Sequence, residues 1–163
     1  MKTLLILRHA KSSWSDDSVS DHDRPLNDRG KRDAPRVGEL LRELNLVPER
    51  ILSSTAKRAR KTAAKVAKAS GFAGEAAELP ELYLASPSTY RAALRNLPDA
   101  VASALFVGHN PGLEGLLMEL TGRHEHLPTA ALAHVELDVS RWSEVDDGTT
   151  GRLMGIWRPR DSE

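Results

Sequence analysis

The sequence has no cysteine. That excludes a disulfide framework and any thiolate metal site, and it fits a reducing compartment. It also lacks an excess of charge of either sign: 23 basic residues stand against 23 acidic ones, for a formal net charge of zero. Bulk attraction to nucleic acid or to an anionic membrane is therefore not expected, although local basic clusters remain. No apolar run approaches the length that spans a bilayer. The N-terminal run Leu4-Leu5-Ile6-Leu7 is too short for the apolar region of a secretory signal. The expected location is the cytoplasm. There is no internal repeat, linker or low-complexity segment. Residues 1–163 are read as one domain, long enough to bury a sizeable core.

Several short apolar segments alternate with helical patterns. Lys2 to Leu7 reads as a buried strand that stops abruptly at Arg8-His9. A polar loop runs from Ser12 to Arg24. A helix follows Pro25-Leu26, capped by Asn27 or Asp28, with Val37, Leu40, Leu41 and Leu44 at helical spacing. Pro35 is placed near its first turns, where proline does least harm. Ile51-Leu52 is a second strand, and an alanine-rich helix from about Lys57 to Ala69 stops near Gly71. Glu75 to Leu79 is a third strand. Ser86-Pro87 opens a helix to about Leu97. Ala104 to Val107 is a fourth strand, and Leu113 to Leu120 a helix stopped by Gly122. Ala131 to Val139 and Arg152 to Trp157 close the pattern as strands, and the tail from Arg158 is expected to fray. The expected fold class is α/β: a three-layer sandwich with a mostly parallel central sheet, helices on both faces and an antiparallel edge.

In such a sheet the carboxyl ends of parallel strands share one edge, where open α/β folds keep their ligand crevice. The first strand ends in Arg8-His9, the second leads to Arg58, and the fourth ends in Gly108-His109. Two guanidiniums can hold a dianionic group by bidentate bonds. A neutral imidazole can act as nucleophile or base. Helix N-termini after Ser54 and Pro111 would add backbone donors. In their parts these residues make a phosphate site.

Arg8-His9-Ala10-Lys11-Ser12-Ser13-Trp14 resembles the RHG-x-S-x-W signature of the histidine phosphatase superfamily, the phosphoglycerate-mutase-like group. Ser54-Thr55-Ala56-Lys57-Arg58-Ala59-Arg60-Lys61-Thr62-Ala63 resembles its second block, and Gly108-His109-Asn110-Pro111 its third. The three motifs agree in order and spacing over nearly the whole chain. Small size, the Asp23-Arg24-Pro25-Leu26 block and the Leu79-Pro80-Glu81-Leu82 segment are most similar to the SixA-type phosphohistidine phosphatases. Ala10 stands where the family has glycine, which would narrow the approach to phosphate slightly. Ser15 and Thr55-Ala56 also depart from the mutase pattern.

The resemblance implies that His9 is the nucleophile, forming a phosphohistidine intermediate that water hydrolyses. It implies that Arg8, Arg58 and His109 hold the phosphoryl oxygens. Lys11 and Ser12 either touch phosphate or turn the chain, and Ser12 is taken as a phosphate contact. Glu81 is the candidate acid for an ester leaving group, with Asp21 and Asp23 as alternatives. The implied partner is a phosphorylated substrate, first of all a phosphohistidine protein. A small phosphate ester is the alternative substrate, and a non-catalytic phosphoprotein-binding module the alternative function. No cofactor or metal is expected: His124-Glu125-His126 has no matching cluster elsewhere and reads as a solvated loop. Lys57, Arg58, Arg60, Lys61 and Lys65 lie close together, and Arg60, Lys61 and Lys65 are read as a charge run of the kind that coats a solvated face. Trp14 is either a wall of the crevice or core filler, and Trp142 and Trp157 are read as structural. His22 and His134 have no evident partner.

Overall fold

A computed structural model describes residues 1–159. It contains one six-stranded sheet with strands β1 (Lys2–Arg8), β2 (Arg50–Ser54), β3 (Ala77–Leu79), β4 (Ser103–Gly108), β5 (Leu132–Leu137) and β6 (Gly151–Trp157), in the order β3-β2-β4-β1-β5-β6. The β1/β4, β2/β4 and β2/β3 pairs are parallel. The β1/β5 and β5/β6 pairs are antiparallel, which gives the expected antiparallel edge. Among the described residues no helix is long and apolar enough to cross a membrane.

Period-two alternation on the central strands divides the core. On β1, Leu4 and Ile6 face one side and Leu5 and Leu7 the other; on β4, Phe106 and Val107 divide in the same way. Helices α3 (Pro87–Arg95) and α4 (Gly112–Thr121) cover the first side with Tyr90, Leu94, Leu113 and Leu117. Helices α1 (Asp28–Glu43) and α2 (Lys57–Ser70) cover the second with Val37, Leu41, Ala63 and Val66. Both faces are thus sealed, and the ligand crevice is left to the strand ends.

The helix ends follow their sequence signals. Asn27 caps α1, its side chain accepting from Gly30 N. Gly71 and Gly122 close α2 and α4 with φ of 78° and 71°, backbone that a side chain disfavours. Pro35 departs from expectation. It is the eighth residue of α1, not in its first turns. Its missing N–H leaves the Lys31 carbonyl without its helical donor, and Lys31 is an exposed residue, which makes an interior proline more tolerable there.

Trp142 is structural: it is fully buried and its indole N–H donates to the Val101 carbonyl at 2.7 Å. Trp157 packs partly buried beside the α1/α2 core. Arg158, expected to fray, is tied to the His126 carbonyl and to Glu125. The rest of that tail, residues 160–163, lies outside the described residues.

Candidate active site

Four elements deliver the functional side chains to one sheet edge. β1 ends at Arg8, and His9 follows with its N–H donating to the Gly108 carbonyl of β4. β4 ends at Gly108 and delivers His109. β2 ends at Ser54, and Arg58 lies in the first turn of α2. Gly108 leaves no free room for a side chain: a Cβ there would stand 2.2 Å from the Tyr90 hydroxyl, which would have to shift. That hydroxyl accepts from His109 N at 3.2 Å, so Tyr90 holds the β4 exit from behind.

The buried His9 ring is fixed by its own neighbour. Its Nδ1 lies 2.8 Å from the Ala10 carbonyl. A carbonyl only accepts, so Nδ1 carries the proton and Nε2 is bare. Arg58 Nε donates toward that bare Nε2 at 3.4 Å. His109 takes the opposite tautomer by the same logic. Arg58 Nη2 faces its Nδ1 at 3.5 Å, and its Nε2–H donates to Ser54 Oγ at 2.8 Å. The two rings lie 5.2 Å apart. Burial, reinforced by nearby guanidiniums, lowers His9 to about 4; burial, then His9 and Arg58, lowers His109 to about 3. Both are neutral near pH 7, so His109 is not a third cation before an anion arrives.

The cations are held at their far sides. Arg58 is buried and donates to the Asp21 carbonyl at 2.6 Å and to Asp21 Oδ2 at 3.0 Å. The Tyr83 hydroxyl donates to the same Oδ2, and Arg24 approaches Oδ1 at 3.4 Å. Tyr83 first, then Arg58 and Arg24, keeps the Asp21 carboxyl below its ordinary range. Arg8 donates to the Leu127 carbonyl at 3.2 Å, while its Nε is buried without a partner. One oxygen of Glu114 holds that segment, accepting from Asn110 Nδ2, His126 Nδ1 and Leu127 N.

These residues enclose a cavity of about 220 Å³ lined by Arg8, His9, Ser12, Asp21, Arg58 and His109, with Lys11, Trp14, Leu84, Asn110 and Thr129 around them. Its chemistry suits a compact anion: two fixed cations, an unpaired buried donor, and a bare imidazole nitrogen at its wall. The structure thus brings together Arg8, His9, Ser12, Arg58 and His109. It does not bring in Glu81, which lies exposed on a 3₁₀ turn, Pro80–Leu82, outside that lining. Asp23 is exposed beside His22. Asp21 is the one candidate carboxylate at the cavity.

Other details refine the sequence reading. Trp14 is a wall and not core filler: it is 73% exposed, with the Arg24 guanidinium 3.2 Å from its ring centroid. The Ala10 methyl belongs to the α1/α2 core and does not line the cavity, so it does not narrow the approach. The helix N-termini contribute less than expected. Lys57 N–H is taken by the His22 carbonyl, and Leu113 and Glu114 N–H by His109 and Asn110. His22 has partners in Thr55 and Tyr83, and His134 in Glu136. Among the described residues no group of three or more potential metal ligands gathers. Tyr83, Tyr90 and Glu114 were not singled out by sequence reasoning, because nothing local marks a side chain whose partner is distant in the chain.

The chain is similar to known proteins in sequence and in fold. Residues 4–83 match the family model of the histidine phosphatase superfamily, branch 1. An uncharacterised chloroplastic protein of Arabidopsis thaliana is 35% identical over 174 residues, covering 99% of this chain and 79% of that one. A solved structure from Nakamurella multipartitia, described as a candidate phosphohistidine phosphatase SixA, is 25% identical with a TM-score of 0.86, over 97% of this chain and 96% of that one. The protein histidine phosphatase SixA complexed with tungstate is 27% identical with a TM-score of 0.82, over 96% of both chains.

Proposed function

The chain belongs to the histidine phosphatase superfamily, and on that premise we propose that it is a phosphatase acting on phosphohistidine in a protein substrate. The carrying observation is the pair of bonds on His9: Nδ1–H given to the Ala10 carbonyl, and Nε2 left bare between Arg58 and His109. An imidazole so held is ready to attack phosphorus without first losing a proton.

The reaction runs in two balanced steps. His9 Nε2 forms a bond to phosphorus as the bond to the leaving nitrogen breaks; the substrate ring carries a proton on its other nitrogen, so it departs as neutral imidazole, and phospho-His9 keeps its Nδ1 proton. Water then forms a P–O bond as the P–Nε2 bond breaks, giving inorganic phosphate, and His9 returns to its neutral form. Arg8, Arg58 and Ser12 take the equatorial oxygens, where charge spreads in the transition state. His109 reaches the same oxygens, and a bound dianion would draw a proton onto it.

The carboxylates favour a phosphoramidate over an ester. An alkoxide leaving group needs a strong proton donor. Asp21 is held ionised by Tyr83 and two arginines, Asp23 faces solvent, and Glu81 stands outside the cavity lining. A phosphohistidine ring titrates near neutral pH, and once protonated on its other nitrogen it departs as neutral imidazole without such a donor. The test compares kcat/KM on a phosphohistidine protein with that on sugar phosphates and nucleotides, beside a His9→Ala control. We expect the phosphohistidine substrate to lead by at least about 100-fold. Preference for a small ester would overturn the reading, and tight phosphate binding with no turnover would point to a binding module.

A further inference from the structure

Beside the catalytic cavity lies a second feature that the proposed chemistry does not use. Along α2, Lys57, Lys61 and Lys65 recur every fourth residue, and Lys31 of α1 joins them around a groove of about 320 Å³ whose other lining is Pro25 and the buried Leu26. Among the described residues no carboxylate pairs with any of these four lysines. Like charges at this spacing weaken a helix. In a chain with no net charge, composition alone does not call for the cluster.

The groove and the cavity share a wall. Ser12 bridges to Leu26, Ser13 N–H donates to the Pro25 carbonyl at 2.8 Å, and Asn27 N–H donates to the Lys11 carbonyl at 3.0 Å. Lys11 and Ser12 line the cavity on one side of this paired segment; Pro25 and Leu26 line the groove on the other. A small ester would need the cavity alone, whereas a phosphorylated side chain carried on a larger surface would bring its flanking residues to this wall.

We propose that the lysine groove seats an acidic segment of the phosphoprotein whose phosphohistidine enters the cavity. This rests on the phosphohistidine-protein reading above. Electrostatic complementarity of this kind raises the rate of productive encounter and weakens with salt.

The test uses two synthetic peptides of about a dozen residues, each with one phosphohistidine, flanked by glutamates in one and glutamines in the other. Phosphoimidazole is the small control. The variant is Lys31→Glu with Lys61→Glu. Glutamate at 61 gains i,i+4 partners in Lys57 and Lys65, and glutamate at 31 lies near the N-terminus of α1, so thermal stability should not fall. Wild type should prefer the glutamate peptide by about tenfold in kcat/KM at low salt and lose that preference at high salt. The double variant should show no preference, with phosphoimidazole turnover within about twofold of wild type. Equal turnover of the two peptides by wild type, or a preference that survives in the variant, overturns the groove's role alone. So does inhibition by tripolyphosphate that disappears in the variant without any peptide preference, which would assign the groove to a small polyanion. Wild type that cleaves p-nitrophenyl phosphate and neither peptide overturns the substrate reading itself.

Discussion

Arg58 Nε donates to His9 Nε2 at 3.4 Å, so the cation that would neutralise an incoming phosphoryl group rests on the atom that would attack it. The contact is long for a hydrogen bond and easily exchanged for one to a phosphoryl oxygen. It keeps Nε2 facing the cavity until substrate arrives. It also disfavours protonation of the nucleophile, because an imidazolium would face a guanidinium.

An ordinary histidine nucleophile would lose activity as pH falls through about 6.5. Here the neutral form of His9 persists down to about 4, so the acid limb of kcat/KM should fall well below 6 when substrate ionisation is accounted for. Stability follows the opposite course. The unfolded chain protonates both rings near 6.5, while the folded chain resists until about 4 for His9 and about 3 for His109. Between those values the unfolded state binds more protons, so stability falls as pH drops from about 6.5 toward 4. Urea titrations across that window should show a falling midpoint, with a smaller fall in His109→Gln.

Asp21 is a positioning residue for Arg58. Asp21→Asn removes the charge that holds Nη2 and leaves the backbone bond to Nη1 in place. We expect kcat to drop about 10- to 100-fold, because a displaced clamp misaligns the transferring group. The acid limb of the pH profile should also move, since Asp21 opposes the lowering of the His9 value. Glu81→Gln, by contrast, should leave phosphohistidine turnover within about twofold. A large loss in Glu81→Gln would show that the exposed turn closes over the cavity and restore Glu81 as proton donor.

Gly108→Ala should destabilise the fold by about 1–3 kcal/mol, as overpacking does elsewhere, because its methyl meets the Tyr90 hydroxyl. Adding Tyr90→Phe should recover part of that loss by removing the nearest atom. Thermal melts of the single and double variants would measure the coupling. An additive pair of losses would contradict the packing described here.

Much of the fold was legible from short-range signals. The apolar run Leu4 to Leu7, the cap at Asn27 and the stops at Gly71 and Gly122 each depend on residues close in sequence, and each is where its pattern places it. Pro35 lies deeper in α1 than its pattern suggests because the proline rule marks a cost, and an exposed residue four positions earlier can absorb it. Arg58 could be told from its basic neighbours through its motif alone. What holds it was not readable: Asp21 is 37 residues away and Tyr83, on the same carboxylate, 62 residues from Asp21. Glu114 was invisible for a similar reason, since its role depends on the Asn110, His126 and Leu127 groups that fold around it. Glu81 was chosen from its segment, and the turn of the 3₁₀ element leaves it exposed.

The most direct test of the account is a rapid-quench experiment with substrate labelled in the phosphoryl group. Wild-type protein mixed with labelled phosphohistidine substrate should carry a label that is acid-labile and alkali-stable and maps to His9. His9→Ala should carry none and lose about four orders of magnitude or more in turnover. A His9→Ala protein that retains near-normal turnover, or a wild-type label on any other residue, would contradict it.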